Sequence, residues 1–195
     1  MKLDLVVGVL ALQGAVTEHL QKFYRLGLKA TEVKNPEHLE SIDALVLPGG
    51  ESTTIGYLMQ ENGWLEAVRE CGKQGKAIMG TCAGMVLLSR HVIDGRREQP
   101  KLELMDIGVK RNAFGRQRES FETPLPFKGI NQPVEAVFIR APLVEEWGKE
   151  VEPLANLEEG TVAVRQGRML ALSFHPELTQ DLSVYRFFVE SCVGR

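Results

Sequence analysis

The chain has 195 residues, enough for one compact domain with a real core, and its 44% hydrophobic and 25% charged residues are the mix of an ordinary globular protein. A formal net charge of -3 argues against a nucleic-acid footprint, and the basic pairs Arg96-Arg97 and Lys110-Arg111 are too short to reverse this. Three widely spaced cysteines, Cys71, Cys82 and Cys192, suit reduced thiols better than a disulfide framework, and no pair has the spacing of a zinc knuckle.

The first apolar run, residues 5–10, is continuous, as expected of a parallel strand covered on both faces. It stops at Gln13-Gly14, too short to span a membrane and without a signal-peptide pattern, which points to a cytoplasmic protein. Val16, Leu20, Phe23 and Leu26 then recur at helical spacing, and Gly27 closes that helix. Strands are expected over residues 30–33, 44–47 and 77–79, with helices over 53–60 and 64–71 between them. This alternation predicts an α/β fold with a doubly wound, mostly parallel sheet flanked by helices, its ligands at the carboxyl ends of the strands.

The second half reads differently. Residues 106–138 offer short extended pieces broken by Pro124, Pro126 and Pro133, and residues 161–164 and 169–173 form a hairpin turned at Gln166-Gly167. Antiparallel additions to the sheet are expected here, then a closing helix over 182–193. No linker or repeat divides the chain, so residues 1–195 are read as a single domain.

Three turns carry chemistry, each following an expected strand. Gly80-Thr81-Cys82-Ala83-Gly84 sits between residues 77–79 and the apolar helix starting at Met85. A nucleophile on so tight a strand-to-helix turn needs small residues two positions either side, and glycine fills both places. A lone cysteine in a loop is ordinarily structural; this context makes Cys82 a candidate nucleophile, and a helix N-terminus favours its thiolate. In Ser173-Phe174-His175-Pro176-Glu177, the proline holds His175 extended, and residues two apart in an extended segment share a face. Glu177 can then orient His175 as general base. His19, His38 and His91 lack this context and are read as surface or helix residues. The third turn, Pro48-Gly49-Gly50-Glu51-Ser52, lets backbone N–H groups approach a ligand and lacks the Gly-Lys-Ser/Thr ending of a phosphate loop.

In that order, Pro48-Gly49-Gly50-Glu51-Ser52, Gly80-Thr81-Cys82-Ala83-Gly84 and Phe174-His175-Pro176-Glu177 resemble the motifs of the class I, or triad, glutamine amidotransferases. Leu12-Gln13-Gly14-Ala15, the run Gly49 to Thr54, Arg111-Asn112-Ala113-Phe114-Gly115-Arg116-Gln117 and Phe138-Ile139-Arg140-Ala141-Pro142 further resemble the glutaminase subunits of the ribose 5-phosphate-dependent pyridoxal 5'-phosphate synthases. The resemblance runs essentially end to end, with only residues 92–101 idiosyncratic, as a surface loop is.

The resemblance implies a Cys82, His175, Glu177 triad that hydrolyses L-glutamine through a thioester. It assigns glutamine binding to Gly50, Glu51, Ser52, Arg111, Ile139 and Arg140. Backbone N–H groups near Gly50 and Ala83 are expected to hold the oxyanion. It also implies a separate, barrel-shaped synthase subunit as the ammonia-consuming partner; no cofactor is expected on this chain, and the charge, hydropathy and cysteine spacing above argue against nucleic acid, membrane or metal. The Gln13-Gly14 loop is expected beside Gly50, facing that partner. Three other readings stand beside this one: a glutaminase for histidine or purine synthesis, a cysteine peptidase of similar fold, and a non-catalytic regulatory subunit.

Overall fold

The computed structural model describes residues 4–93, 99–115 and 119–194. Arg96-Arg97 and the motif residues Arg116 and Gln117 lie outside them. Strands β1 (Val6–Leu10), β2 (Lys29–Val33), β3 (Ala44–Leu47) and β4 (Ala77–Thr81) run parallel in the order β2-β1-β3-β4. β12 (Met169–Leu172) adds in parallel beside β4. Because the order reverses about β1, crossovers go to opposite faces and a crevice opens at the carboxyl edge.

Register decides where that crevice lies. Val9 pairs with Val46, Leu47 with Gly80, and Leu172 with Thr81. The four strands therefore end at nearly the same level, and the loops after Leu10, Leu47, Thr81 and Leu172 leave side by side. Three turns scattered over more than a hundred residues of sequence are gathered on one edge in this way.

Alternate side chains of these strands enter two cores, as strand geometry requires. Val7, Val9, Val46 and Met79 pack with Phe23, Tyr185 and Phe188, from α1 (Val16–Arg25) and α5 (Ser183–Phe188). Leu10, Leu45, Leu47 and Ile78 pack with Ile55, Met59, Trp64, Val68 and Leu87, from α2 (Ser52–Glu61), α3 (Trp64–Lys73) and α4 (Ala83–Leu88). Helices thus cover both faces, which is why β1, β3 and β12 read as apolar throughout, whereas the edge strand β2, Lys-Ala-Thr-Glu-Val, keeps exposed polar side chains. The closing helix changes pitch after Phe188, into a π-helical turn over Val189–Val193. Among the described residues no helix is long and apolar enough to cross a membrane.

The second half extends the sheet antiparallel through β11 (Gly160–Gln166) and β9 (Leu143–Trp147) to β6 (Met105–Lys110), which pairs in parallel with β5 (Ser89–Val92). β10 (Val151–Leu157) pairs with β11. The hairpin at Gln166-Gly167 forms as expected, with Gly167 at a φ of 57°. Residues 106–138 depart from expectation: only β6 joins the main sheet. β7 (Ser120–Leu125) and β8 (Val134–Ile139) make a separate antiparallel ribbon. Pro124 lies within β7, where a missing N–H marks an edge. The ribbon instead lays Val134, Ala136 and Phe138 on the core, with Phe138 5.7 Å from Phe174 between ring centroids.

Candidate active site

Cys82 stands between β4 and α4 at a φ of 48°, a positive value rare outside glycine. Packing holds it there. A Cβ on Gly80 would fall 2.5 Å from the Gly84 backbone, and one on Gly84 would fall 2.2 Å from Leu47 O. Cys82 N donates to Leu172 O at 2.7 Å, tying the elbow to β12. The need for glycine on both sides of the cysteine is therefore borne out atom by atom. Cys82 is partly exposed, whereas Cys71 and Cys192 are buried.

His175 follows β12 and hangs from the ribbon: its N–H donates to Val137 O at 2.8 Å. Its Nδ1 lies 2.7 Å from Glu177 Oε1, which leaves Nε2 for the sulfur. The expected reason for the pairing is corrected. Residues Pro176–Leu178 form a 3-10 turn rather than an extended segment, so Glu177 reaches His175 by curling back beneath it. Burial alone pushes the His175 imidazole down, yet its hydrogen bonds to Cys82 and Glu177, with their charges, raise it to about 10. Burial pushes the Glu177 carboxyl up, but the bond with His175 and the positive charge of that imidazole hold it below the usual range.

His19 is a second correction. It lies on α1 as expected of a helix residue, but it is wholly buried, with Nε2 3.6 Å from Glu177 Oε2 and Nδ1 2.8 Å from the Tyr185 hydroxyl. His38 and His91 do lie near the surface.

The glycine loop after β3 closes against this pair. A Cβ on Gly49 would meet His175 Cε1 at 2.6 Å and Cys82 Cβ at 3.5 Å. Gly50 sits at a φ of 151°, and the Gln13 side chain covers it, with Gln13 Oε1 accepting from Glu51 N–H at 3.0 Å. The expected placement of Gln13 beside Gly50 is thus met. Gly14 and Gly49 are in equally close contact, since a Cβ on Gly14 would lie 1.9 Å from Gly49 O.

Between these loops is a cavity of about 340 Å³, near the small end of the range for ligand pockets, roughly 300–1,000 Å³. Gly50, Glu51, Ser52, Cys82, Ala83, Arg111, Ile139, Arg140 and His175 all line it; Glu177 stands behind His175, 3% exposed. Arg111 Nη1 donates to Thr53 Oγ1 at 3.0 Å and to Gln99 Oε1 at 3.2 Å, and Gln99 Nε2 donates to Ser52 Oγ at 3.0 Å. Gln99 is buried, so the stretch 92–101, expected to be a surface loop, sends at least one residue into the support of the site. Arg140, at a φ of 44°, forms an exposed ion pair with Glu51 at 3.3 Å across the mouth. Among the described residues no group of three or more His, Cys, Asp or Glu is placed to hold a metal ion.

A doubly wound sheet with a cysteine elbow facing a His-Glu pair, at the carboxyl edge of its strands, is the architecture of the class I glutamine amidotransferases. The model of the SNO glutamine amidotransferase family matches residues 9–194, and the chain belongs to that family. It is 53% identical to a pyridoxal 5'-phosphate synthase subunit PdxT of Niallia circulans, over 94% of this chain and 96% of that one. It is 51% identical to the subunit of that name from Corynebacterium jeikeium, over 95% of each. A crystal structure described as that of a glutamine amidotransferase superposes with a TM-score of 0.90 at 50% identity, covering 95% of this chain and 98% of the other.

Proposed function

We propose that this chain hydrolyses L-glutamine to L-glutamate and ammonia, and delivers the ammonia to a separate synthase subunit that makes pyridoxal 5'-phosphate. The observation that carries the reading is the chain of contacts from Cys82 through His175 to Glu177, closing one pocket of amino-acid size in a member of a glutamine amidotransferase family.

In the pocket the Arg111 guanidinium, aimed by Thr53 and Gln99, meets the α-carboxylate of glutamine with charge-assisted hydrogen bonds. Glu51, Ser52 and the backbone about Ile139 and Arg140 hold the ammonium and orient the side chain. Cys82 Sγ attacks the side-chain amide carbon, and the carbonyl π bond opens to an oxyanion, held by backbone N–H groups of the Gly50 loop and of Ala83. His175, protonated at neutral pH because it is raised to about 10, gives its proton to the amide nitrogen. The C–N bond breaks, ammonia leaves and a γ-glutamyl thioester remains. Water then attacks the thioester carbon, His175 takes the water's proton, and the C–S bond breaks to release glutamate and restore the sulfur anion. Glu177 keeps the imidazole in one tautomer and offsets its charge throughout.

The partner in this reading is a barrel-shaped subunit that combines the ammonia with a pentose phosphate and a triose phosphate. The relatives' shared description as synthase subunits supports it. Residues 1–195 act as one catalytic domain, in the cytoplasm. Glutamate release by the purified chain, with and without the synthase subunit, tests the reading. Cys82→Ala is expected to lose roughly six orders of magnitude, as loss of a triad nucleophile does. A Cys82→Ala protein within about tenfold of native, a barrier change of about 1.4 kcal/mol, would refute it.

A further inference from the structure

Glu177 spends one carboxylate oxygen on His175, and its other oxygen, Oε2, is buried without a hydrogen-bond partner among the described residues. A buried, charged oxygen left in that state is costly. The polar atom recorded beside it is His19 Nε2, at 3.6 Å, from a side chain that is itself wholly buried on α1. At that length the contact is a charge facing a dipole, and a small approach converts it to a hydrogen bond.

The tautomer follows from both sides of the ring. Tyr185 Oη lies 2.8 Å from His19 Nδ1; burial, then the Glu177 charge, raises the phenol well above its ordinary value, so its proton is available to donate, and the carboxylate facing Nε2 selects the tautomer in which Nδ1 accepts it. Nδ1 accepts, and the imidazole, which burial keeps from protonating, carries its single hydrogen on Nε2. That hydrogen faces Glu177 Oε2 and Thr81 Oγ1, the latter at 3.4 Å in the residue before the Cys82 elbow. The opposite tautomer would set a lone pair against the carboxylate.

We propose that His19 is a positioning residue of the hydrolytic site: locked by Tyr185, its Nε2–H holds Glu177 Oε2 so that Oε1 stays turned toward His175. The proposal rests on the Cys82, His175, Glu177 reading above. Besides His175, the charged side chains acting on the pair are Glu18 and Lys22 of α1, and Lys22 is itself tied to Thr179 O.

The test measures kcat, KM and the pH profile of kcat/KM for glutamine with the synthase subunit present. His19→Leu is expected to lower kcat about tenfold or more, the scale of coupling within one polar network, with KM little changed. Because the neutral Nε2–H of His19, 3.6 Å from Glu177 Oε2, favours the ionised carboxylate as a dipole, its loss moves the acid limb of kcat/KM to higher pH. His19→Gln, whose amide nitrogen reaches the place of Nε2, retains most of kcat. Tyr185→Phe, which removes only the hydroxyl, falls in the same direction by less. A folded His19→Leu with native kcat and acid limb overturns the proposal, as does His19→Gln falling equally far. If His19→Leu does not fold, a native kcat and acid limb in Tyr185→Phe overturns it. An active Cys82→Ala removes the triad itself; an inactive Cys82→Ala beside a native-like His19→Leu removes only the positioning role.

Discussion

Gly84 lies against the carbonyl of Leu47 so closely that a methyl group there would fall 2.2 Å from the oxygen, and that oxygen belongs to the strand leading into the glycine loop. The cysteine elbow and the loop facing it are therefore packed backbone to backbone, with no side chain between them to yield. Gly84→Ala has to push β3 and α4 apart. Overpacking of a tight core typically costs about 1–3 kcal/mol, and the displacement falls on Cys82 and Gly50 together. The expected outcome is a lower melting temperature and a loss of glutaminase activity larger than the stability change accounts for. Thermal unfolding and glutamate release on the same preparation check it.

Glu177→Gln keeps the shape of the side chain and removes its charge. The amide can present its NH2 group to His175 Nδ1 and favour the wrong tautomer. Neutralising the acidic member of a triad costs up to about 10⁴ in kcat in the serine-protease template, so a fall of roughly 10²- to 10⁴-fold is expected, with KM changed far less. Steady-state kinetics with the synthase subunit present decide this. A kcat within about threefold of native would remove Glu177 from the triad.

The raised imidazole also fixes a direction for stability against pH. In the unfolded chain a histidine titrates near about 6.5, and in the folded protein His175 is raised to about 10. Between those values the folded state holds a proton that the unfolded state has lost, so folding stability falls as pH rises. The His175 contribution is complete below about pH 6.5 and is lost as pH climbs through about 10. Glu177, held below its ordinary value, acts at the other end. Its contribution is present above the ordinary carboxylate range and is lost as pH falls through the lowered value. Denaturant unfolding across pH should show the stability gap between native protein and His175→Ala narrowing toward alkaline pH. A gap that widened would contradict the assignment.

The parallel half of the fold was legible because its central strands β1, β3, β4 and β12 are buried on both faces and its helices carry apolar stripes. Residues 44–47 and 77–79 have no polar side chain to confuse them. β9 and β10 were not legible: β9 reads Leu-Val-Glu-Glu-Trp with two exposed acids, and β10 is interrupted by Pro153 and a register shift. Their strand state comes from pairing with β6 and β11, contacts distant in sequence. His19 was legible in principle. It falls three residues after Val16 and four before Phe23, on the stripe that α1 buries, and an ionisable residue at such a place calls for a partner. For His175 and Glu177 the partnership was read correctly from the spacing for a conformation that the 3-10 turn replaces. Gln99 carried no local signal, since only folding brings residues 99, 111 and 52 together.

Arg111 is aimed into the pocket by two neutral acceptors, Thr53 Oγ1 and Gln99 Oε1. Arg111→Ala is expected to raise KM for glutamine about tenfold to a hundredfold, the worth of one charge-assisted hydrogen bond, with kcat falling less. Arg111→Lys should recover little, because a point charge lacks the planar fork that these acceptors orient. Gln99→Ala, leaving the arginine present but less constrained, should give a smaller rise in KM. Equal effects of Arg111→Ala and Arg111→Lys on KM, both exceeding that of Gln99→Ala, are the pattern to look for.

Gln13 couples the loop after β1 to the loop after β3. Its Oε1 takes the Glu51 N–H at 3.0 Å and covers Gly50, whose φ of 151° only glycine tolerates. The Gly50 loop is thus held by a side chain from a neighbouring strand end, on the face expected from the sequence to meet the synthase subunit. Removing the acceptor in Gln13→Ala frees Glu51 N–H and uncovers Gly50 while leaving Cys82, His175 and Glu177 in place. The partner-stimulated rate is then expected to fall about tenfold, the scale of one hydrogen bond that aligns an oxyanion donor without itself being one. Glutamate release with saturating synthase subunit reads this directly. Gln13→Glu separates shape from charge, since it keeps the acceptor and adds a carboxylate beside the place where the oxyanion forms. If the acceptor alone matters, Gln13→Glu should retain the rate that Gln13→Ala loses; if the loop must also stay uncharged to stabilise the oxyanion, Gln13→Glu should fall further still. Unchanged stimulation in Gln13→Ala would show that the loop needs no such tether.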